Sequence, residues 1–227
     1  MKFGRFSIIL FVIGILGLMG FVSAEKTYAS EKEGIETLKT PEEIQKFREE
    51  YIKNFRRTGL NTAPGDARFL RIMVASAGSK RGIEVGTATG FGAINMGMAF
   101  ERNGGELISL DIDHRMVVAA EEHIKNMGLE KTVKVVEGDA LKTIPELEGE
   151  FDFMFIDALK QDYMKYFQLA LPKLKVGSVI VADNVILHAN AMKDFLDFME
   201  ASPDYDMQII RSSMEKGDGM AVIYKLR

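Results

Sequence analysis

The chain has 227 residues, enough for one globular domain with a full core. Its 47% hydrophobic and 27% charged content is ordinary for a soluble fold, and a net charge of −4 gives no sequence-wide attraction to nucleic acid, so no nucleic-acid partner is expected. Cysteine is absent, which excludes disulfides, thiolate metal sites and a cysteine nucleophile, and His114, His123 and His188 lack a ligand-like spacing for zinc.

Lys2 and Arg5 precede an uncharged run at 6–24. Val22-Ser23-Ala24 before Glu25 resembles a small-residue cleavage site, which reads residues 1–24 as a signal peptide. The run is also just long enough to span a bilayer as an uncleaved anchor. Both readings give a membrane-anchored or exported chain with membrane contact through 6–24. The charge bias puts the body outside the cytoplasm, although the side it occupies is left open. Residues 25–40 read as a polar tether. The folded domain is then 41–227, opened by a helical cap at 41–78.

Thr40 is a candidate N-cap with Pro41 at the first helical position and Glu43 at the third. Ile44, Phe47, Tyr51 and Phe55 form one apolar stripe on the helix that follows. A glycine-bounded loop at 59–65 leads to a second helix at 66–76. From 82 onward, strand and helix patterns alternate. Strands are expected at 82–86, 106–111, 132–137, 151–157 and 177–183, with helices near 91–102, 114–127, 140–146 and 161–172. After a helix near 190–201, strands at 206–211 and 220–225 are joined by a short gap that suits a hairpin, not a crossover. The fold class is therefore α/β and Rossmann-like. The expected sheet is doubly wound, seven-stranded and mostly parallel, with one antiparallel strand near the C-terminus and helices on both faces.

The stretch Gly82-Ile-Glu-Val-Gly-Thr-Ala-Thr-Gly-Phe-Gly92 reads as a buried strand, a tight turn and a helix start. Glycines there let the backbone approach a ligand, and the free N–H groups of the helix favour an anionic group, either a pyrophosphate or a carboxylate. The next strand ends in Asp111, an acid placed to take a ribose diol. In open parallel sheets, ligands bind beyond the carboxyl ends of the strands. The fourth strand ends in Asp157 and the fifth in Asp183-Asn184. Two carboxylates and an amide oxygen from neighbouring strands suit a hard divalent cation, most simply Mg²⁺. Lys160, three residues after Asp157, is a candidate general base. Taken singly, Asp157 is also a possible helix N-cap, Asp183-Asn184 a turn and Lys160 a solvated lysine.

These residues resemble the cation-dependent O-methyltransferases that use S-adenosylmethionine, the group of catechol O-methyltransferase and the caffeoyl-CoA O-methyltransferases. The resemblance runs from about residue 61 to 225. It is carried by Glu-Val-Gly-Thr-Ala-Thr-Gly-Phe-Gly at 84–92, Leu-Asp-Ile-Asp at 110–113, Glu-Gly-Asp-Ala at 137–140, Phe-Ile-Asp-Ala-Leu-Lys at 155–160, Ala-Asp-Asn at 182–184 and Asp-Gly-Met-Ala-Val at 218–222. It implies that Asp157, Asp183 and Asn184 hold the metal and that Lys160 takes the acceptor proton. It implies that Asp111 binds the ribose and that Glu84 and Gly86 shape the methionine end. Asp139 and Ala140 would lie against the adenine, and Asp66 would sit in a loop over the cofactor. Thr87, Phe91, Gly92, Ile112, Gly138 and Asp157 complete the implied cofactor set.

Several positions depart from the family. Gly92 stands where many relatives have serine, so a hydroxyl for the cofactor carboxylate is missing and backbone N–H groups would have to substitute. Ala158-Leu159 is closer to the caffeoyl-CoA pattern than to the His-Trp pair of the catechol enzymes. Ser212, with Glu215 three residues on, falls where an acid would grip a catechol hydroxyl, and Leu187 and His188 also differ. The implied partner is a small aromatic hydroxyl acceptor, and relatives include both monomers and homodimers. A nicotinamide oxidoreductase is disfavoured because G-x-G-x-x-G is absent. A non-catalytic scaffold would not need Asp157, Lys160 and Asp183-Asn184 together.

Overall fold

The computed structural model describes residues 34–227. The chain divides into two compact units, residues 1–47 and 48–227. In the first, the start of helix α1 (Pro41–Asn54) is fixed by a capping box: Glu43 N donates to Thr40 Oγ1 at 3.2 Å, and Thr40 N donates back to Glu43 Oε2 at 3.0 Å.

The second unit carries α2 (Pro64–Ala77), β1 (Arg81–Val85), α3 (Phe91–Asn103), β2 (Glu106–Asp111), α4 (His114–Asn126), β3 (Val133–Glu137) and α5 (Ala140–Glu146). It continues with β4 (Phe151–Ile156), α6 (Tyr163–Ala170), β5 (Leu174–Ala182), α7 (Lys193–Ala201), β6 (Tyr205–Ile210) and β7 (Met220–Lys225). The helix expected at 161–172 is split, with single 3₁₀ turns on either side of α6, and α7 is likewise preceded by a 3₁₀ turn at Ala189–Met192. Helix α2 begins at Pro64, earlier than the expected 66, because proline suits the first turn of a helix.

The strands form one seven-stranded sheet in the order β3-β2-β1-β4-β5-β7-β6. β7 runs antiparallel to both its neighbours, and the other pairings are parallel. The expected mostly parallel, doubly wound architecture is thus present. Side-chain alternation assigns each face. Ile83, Val85, Met154, Ile156 and Ile180 pack on one side with α5, α6 and α7. Phe153, Phe155, Val179 and Val181 pack on the other with α2, α3 and α4. Gly82 has no side chain for a direct reason: a Cβ there would stand 2.4 Å from the Phe100 ring.

The order reverses direction between β1 and β4, and such a switch point opens a crevice beyond the strand ends. Ladder hydrogen bonds run straight across that line. Gly138 N donates to Asp111 O, Gly86 N to Leu110 O, Asp157 N to Val85 O and Asp183 N to Ile156 O, at 2.8–3.0 Å. Sheet register alone therefore sets Asp111, Gly86, Asp157 and Asp183 side by side.

The expected membrane-anchored or exported location needs correction. Among the described residues, no helix is long and apolar enough to cross a membrane. The segment at 1–24 on which that expectation rested lies outside the described residues.

Candidate active site

The turn after β1 is built on backbone conformations that glycine favours. Gly86 has φ +99°, and a Cβ on it would stand 2.1 Å from the carbonyl oxygen of Asp157. Only glycine lets the tips of β1 and β4 close to this distance. Gly90, at φ +89°, is the N-cap that precedes α3.

Asp111 is held from both sides, accepting from Ala88 N at 2.8 Å and Asp113 N at 2.9 Å. Asp139 caps α5 and accepts from Leu141 N at 3.0 Å. These residues, with Ile112, Gly138, Ala140 and Gly86, line one side of a cleft of about 1030 Å³. Asp157, Lys160, Asp183 and Asn184 line the other side.

On that second side the acids meet ammonium groups. Lys160 Nζ donates to Asp157 Oδ1 at 2.8 Å and to the Tyr163 hydroxyl at 3.0 Å. The Tyr163 hydroxyl in turn donates to the carbonyl oxygen of Asp183 at 3.1 Å, so Lys160, Asp157 and the tip of the next strand form one chain of contacts. Burial, and then the Asp157 and Asp183 charges, push the Tyr163 hydroxyl well above the usual phenol range. Lys216 Nζ lies 2.7 and 2.6 Å from the two oxygens of Asp183. Burial, and next the Asp157 charge, raise the Asp183 carboxyl to about 6 despite Lys216. Asn184 sits at φ +62°, and its Nδ2 donates to Asp218 Oδ2 at 3.2 Å, which fixes the amide with Oδ1 turned away from Asp218. Burial alone would raise the Asp218 carboxyl, but N–H groups of Leu187, Gly219 and Ile186 hold it below the ordinary range.

Five residues of the expected set stand off the cleft wall. Asp66 was expected in a loop; it lies in the first turn of α2, 2% exposed, bonded to the Ser212 hydroxyl and 3.3 Å from Lys216 Nζ. Phe91 belongs to the core, its ring 4.9 Å from that of Phe55, because the first apolar residue of α3 turns inward. Thr87 and Ser109 hydroxyls pair at 2.5 Å, and Ser109 donates on to Glu84 Oε2. Glu84 is buried behind the turn. Its Oε1 has no partner among the described residues, and burial raises its carboxyl to about 8. Gly92 faces it: a Cβ there would stand 2.7 Å from Glu84 Oε1 and 3.0 Å from Thr62 Oγ1.

Sequence reasoning missed Thr62, Asn61 and Lys216. Asn61 lines the cleft, accepts from Thr89 Oγ1 at 2.9 Å, and has a buried Nδ2 without a partner among the described residues. The sole sequence signal for Asn61 and Thr62 was their place at the start of the resemblance.

A family model described as O-methyltransferase matches residues 35–225. The chain belongs to the O-methyltransferase family. It is 37% identical over 131 residues to a catechol O-methyltransferase of Niastella koreensis, covering 56% of this chain and 59% of that one, so the match spans less than two thirds of that relative's length. To a catechol O-methyltransferase of Mycobacterium tuberculosis it is 32% identical over 168 residues, 68% of this chain and 76% of the relative. Among solved structures, the cofactor-bound Rv0187 from MTB superimposes with a TM-score of 0.70 at 27% identity, covering 80% of this chain and 89% of that one. The methyltransferase fold and family thus agree with the resemblance drawn from the strand-end motifs.

Proposed function

We propose that this O-methyltransferase moves the methyl group of S-adenosylmethionine to a hydroxyl of a catechol-like aromatic acceptor, and that a divalent cation such as Mg²⁺ is held by Asp157, Asp183 and Asn184. The observation that carries the reading is the row of strand tips. One cleft is lined by Gly86, Asp111 and Asp139 on one side and by Asp157, Lys160, Asp183 and Asn184 on the other.

The donor set fits a hard cation. Two carboxylates stand close enough for the Asp157 charge to raise Asp183, and a cation relieves that repulsion. Beside the two carboxylates, the Asn184 amide oxygen would be the third protein ligand. When bound, the cation lowers the pKa of the acceptor hydroxyl. In its neutral amine form Lys160 would receive that proton at Nζ, from a position set by Asp157 and Tyr163. The acceptor oxyanion would then attack the sulfonium methyl, the O–CH₃ bond forming as the S–CH₃ bond breaks and S-adenosylhomocysteine leaves. Asp111 would accept from the ribose hydroxyls, and Asp139 and Ala140 would bound the adenine. The Thr62 hydroxyl stands 3.0 Å from where a side chain at 92 would begin. Holding nucleophile and methyl within about 3–3.5 Å supplies much of the rate.

Methyl transfer to a panel of catechols, assayed with and without excess chelator, tests the reading. Transfer should need the cation and return when Mg²⁺ is restored. Full activity in chelator removes the cation from the proposal, and no transfer to any vicinal diol removes the acceptor class.

A further inference from the structure

Lys216 is used by nothing in that mechanism, yet it occupies the centre of the acidic side. It lies in the turn between β6 and β7, and its side chain is 22% exposed. Its ammonium contacts both oxygens of Asp183 and reaches Asp66 at 3.3 Å. Both acids are almost wholly buried. Asn184 N also donates to Asp183 Oδ1 at 2.7 Å, so Asp183 is already well supplied with donors.

The turn is pressed into this place. A Cβ on Gly65 would stand 2.7 Å from both the Ser212 carbonyl oxygen and Ser213 Cα, and the Ser212 hydroxyl donates to Asp66. The start of α2, the β6–β7 turn and the tip of β5 are therefore tied by one ammonium and one hydroxyl.

We propose that Lys216 is a tethered cation that competes with the divalent cation for Asp183. This rests on the reading that Asp157, Asp183 and Asn184 are the metal ligands. A monocation bonded to both oxygens of a carboxylate blocks the lone pairs that a metal ion would use, and two cations at one carboxylate repel. Metal entry thus requires the ammonium to leave Asp183. Asp66 is the partner it keeps, so the side chain has a short path to a second anion and need not lose all pairing. Loading the metal breaks one of the contacts that hold the β6–β7 turn down. Without the metal, the same lysine keeps Asp183 paired beside Asp157.

Mn²⁺ binding to the full-length chain, followed by electron paramagnetic resonance, tests this with wild type, Lys216→Met, Lys216→Arg and Asp183→Asn. Lys216→Met should bind Mn²⁺ at least about tenfold more tightly than wild type, since the competing charge is gone. Lys216→Arg keeps a cation with a fork that matches a carboxylate, and should bind no more tightly than wild type. Equal or weaker binding by Lys216→Met, with Asp183→Asn still impaired, overturns the competition and leaves the metal site standing. No loss in Asp183→Asn overturns the metal reading and the competition with it. A second readout needs no variant: acylation of Lys216 in wild type, mapped by mass spectrometry, should rise several-fold on saturation with Mn²⁺. Unchanged labelling despite bound Mn²⁺ also overturns the proposal.

Discussion

Beyond β2 and β3, the acids of the cleft are held by backbone N–H groups: Asp111 by Ala88 and Asp113, and Asp139 by Leu141. Beyond β4 and β5, the acids take side-chain ammonium groups: Asp157 takes Lys160, and Asp183 takes Lys216 beside the backbone N–H of Asn184. The two halves solve the same problem, a carboxylate at a strand tip, with different partners. Backbone donors are fixed by the fold and cannot leave. Ammonium groups sit on flexible stems and can move a proton or give way to another cation. The rigid half suits the binding of a nucleoside of constant shape, and the movable half suits chemistry.

The hinge between the halves is Gly86, and its substitution should have the largest effect. Gly86→Ala places a side chain at φ +99° and against the Asp157 carbonyl oxygen. Strain and overlap together should cost about 4 kcal/mol of stability, read as a lowered urea midpoint. A variant as stable as wild type would mean that the β1 and β4 tips need not stand this close, and the two halves would then not share one floor.

Next in size is Lys160→Ala, which sharpens the contrast by touching the movable half alone. Turnover should fall by on the order of 10² or more, while S-adenosylmethionine binding, measured by calorimetry, stays near the wild-type value. Equal loss of binding and turnover would erase the division of labour between the halves. Unchanged turnover would retire Lys160 as the base.

The same division decided what could be read in advance. The backbone-held half is local in sequence. Gly86 and Gly90 punctuate the turn, and Asp113 and Asp139 cap the helices that directly follow them, so strand-end motifs disclose the whole arrangement. Sheet register adds Asp157 and Asp183 because apolar strands fix which tips are neighbours. The ammonium-held half is local only for Lys160, three residues from Asp157. Lys216 is 33 residues from Asp183 and 150 from Asp66, inside a stretch whose composition says only hairpin. Thr62 was hidden for the same reason, since its hydroxyl meets Gly92 through the packing of a loop against α3. Phe91 and Thr87 are the opposite case. They lie within the motif, but their side chains turn into the core and into the Ser109 chain.

Glu84 belongs to neither half and gives the smallest and most specific test. Among the described residues its carboxyl has one hydroxyl partner, Ser109, with no backbone N–H and no ammonium against it. Burial raises it from 4.5 to about 8, so at neutral pH it is neutralised by its own proton. The sign of the linkage follows. In the unfolded chain Glu84 ionises near its ordinary value, so between about 4.5 and 8 the folded state binds a proton that the unfolded state does not. The stabilisation is fully present below 4.5 and is lost as pH rises through about 8. The slope is at most about 1.4 kcal/mol per pH unit. Glu84→Gln keeps the shape and can accept from Ser109, but binds no titrating proton. Urea unfolding at pH 5.5 and 8 should therefore show wild type losing stability relative to Glu84→Gln as pH rises. Parallel curves would mean that Glu84 is ionised in the folded state and that a donor from Asn61 or Thr62 reaches it, which would place it in the backbone-and-hydroxyl half after all.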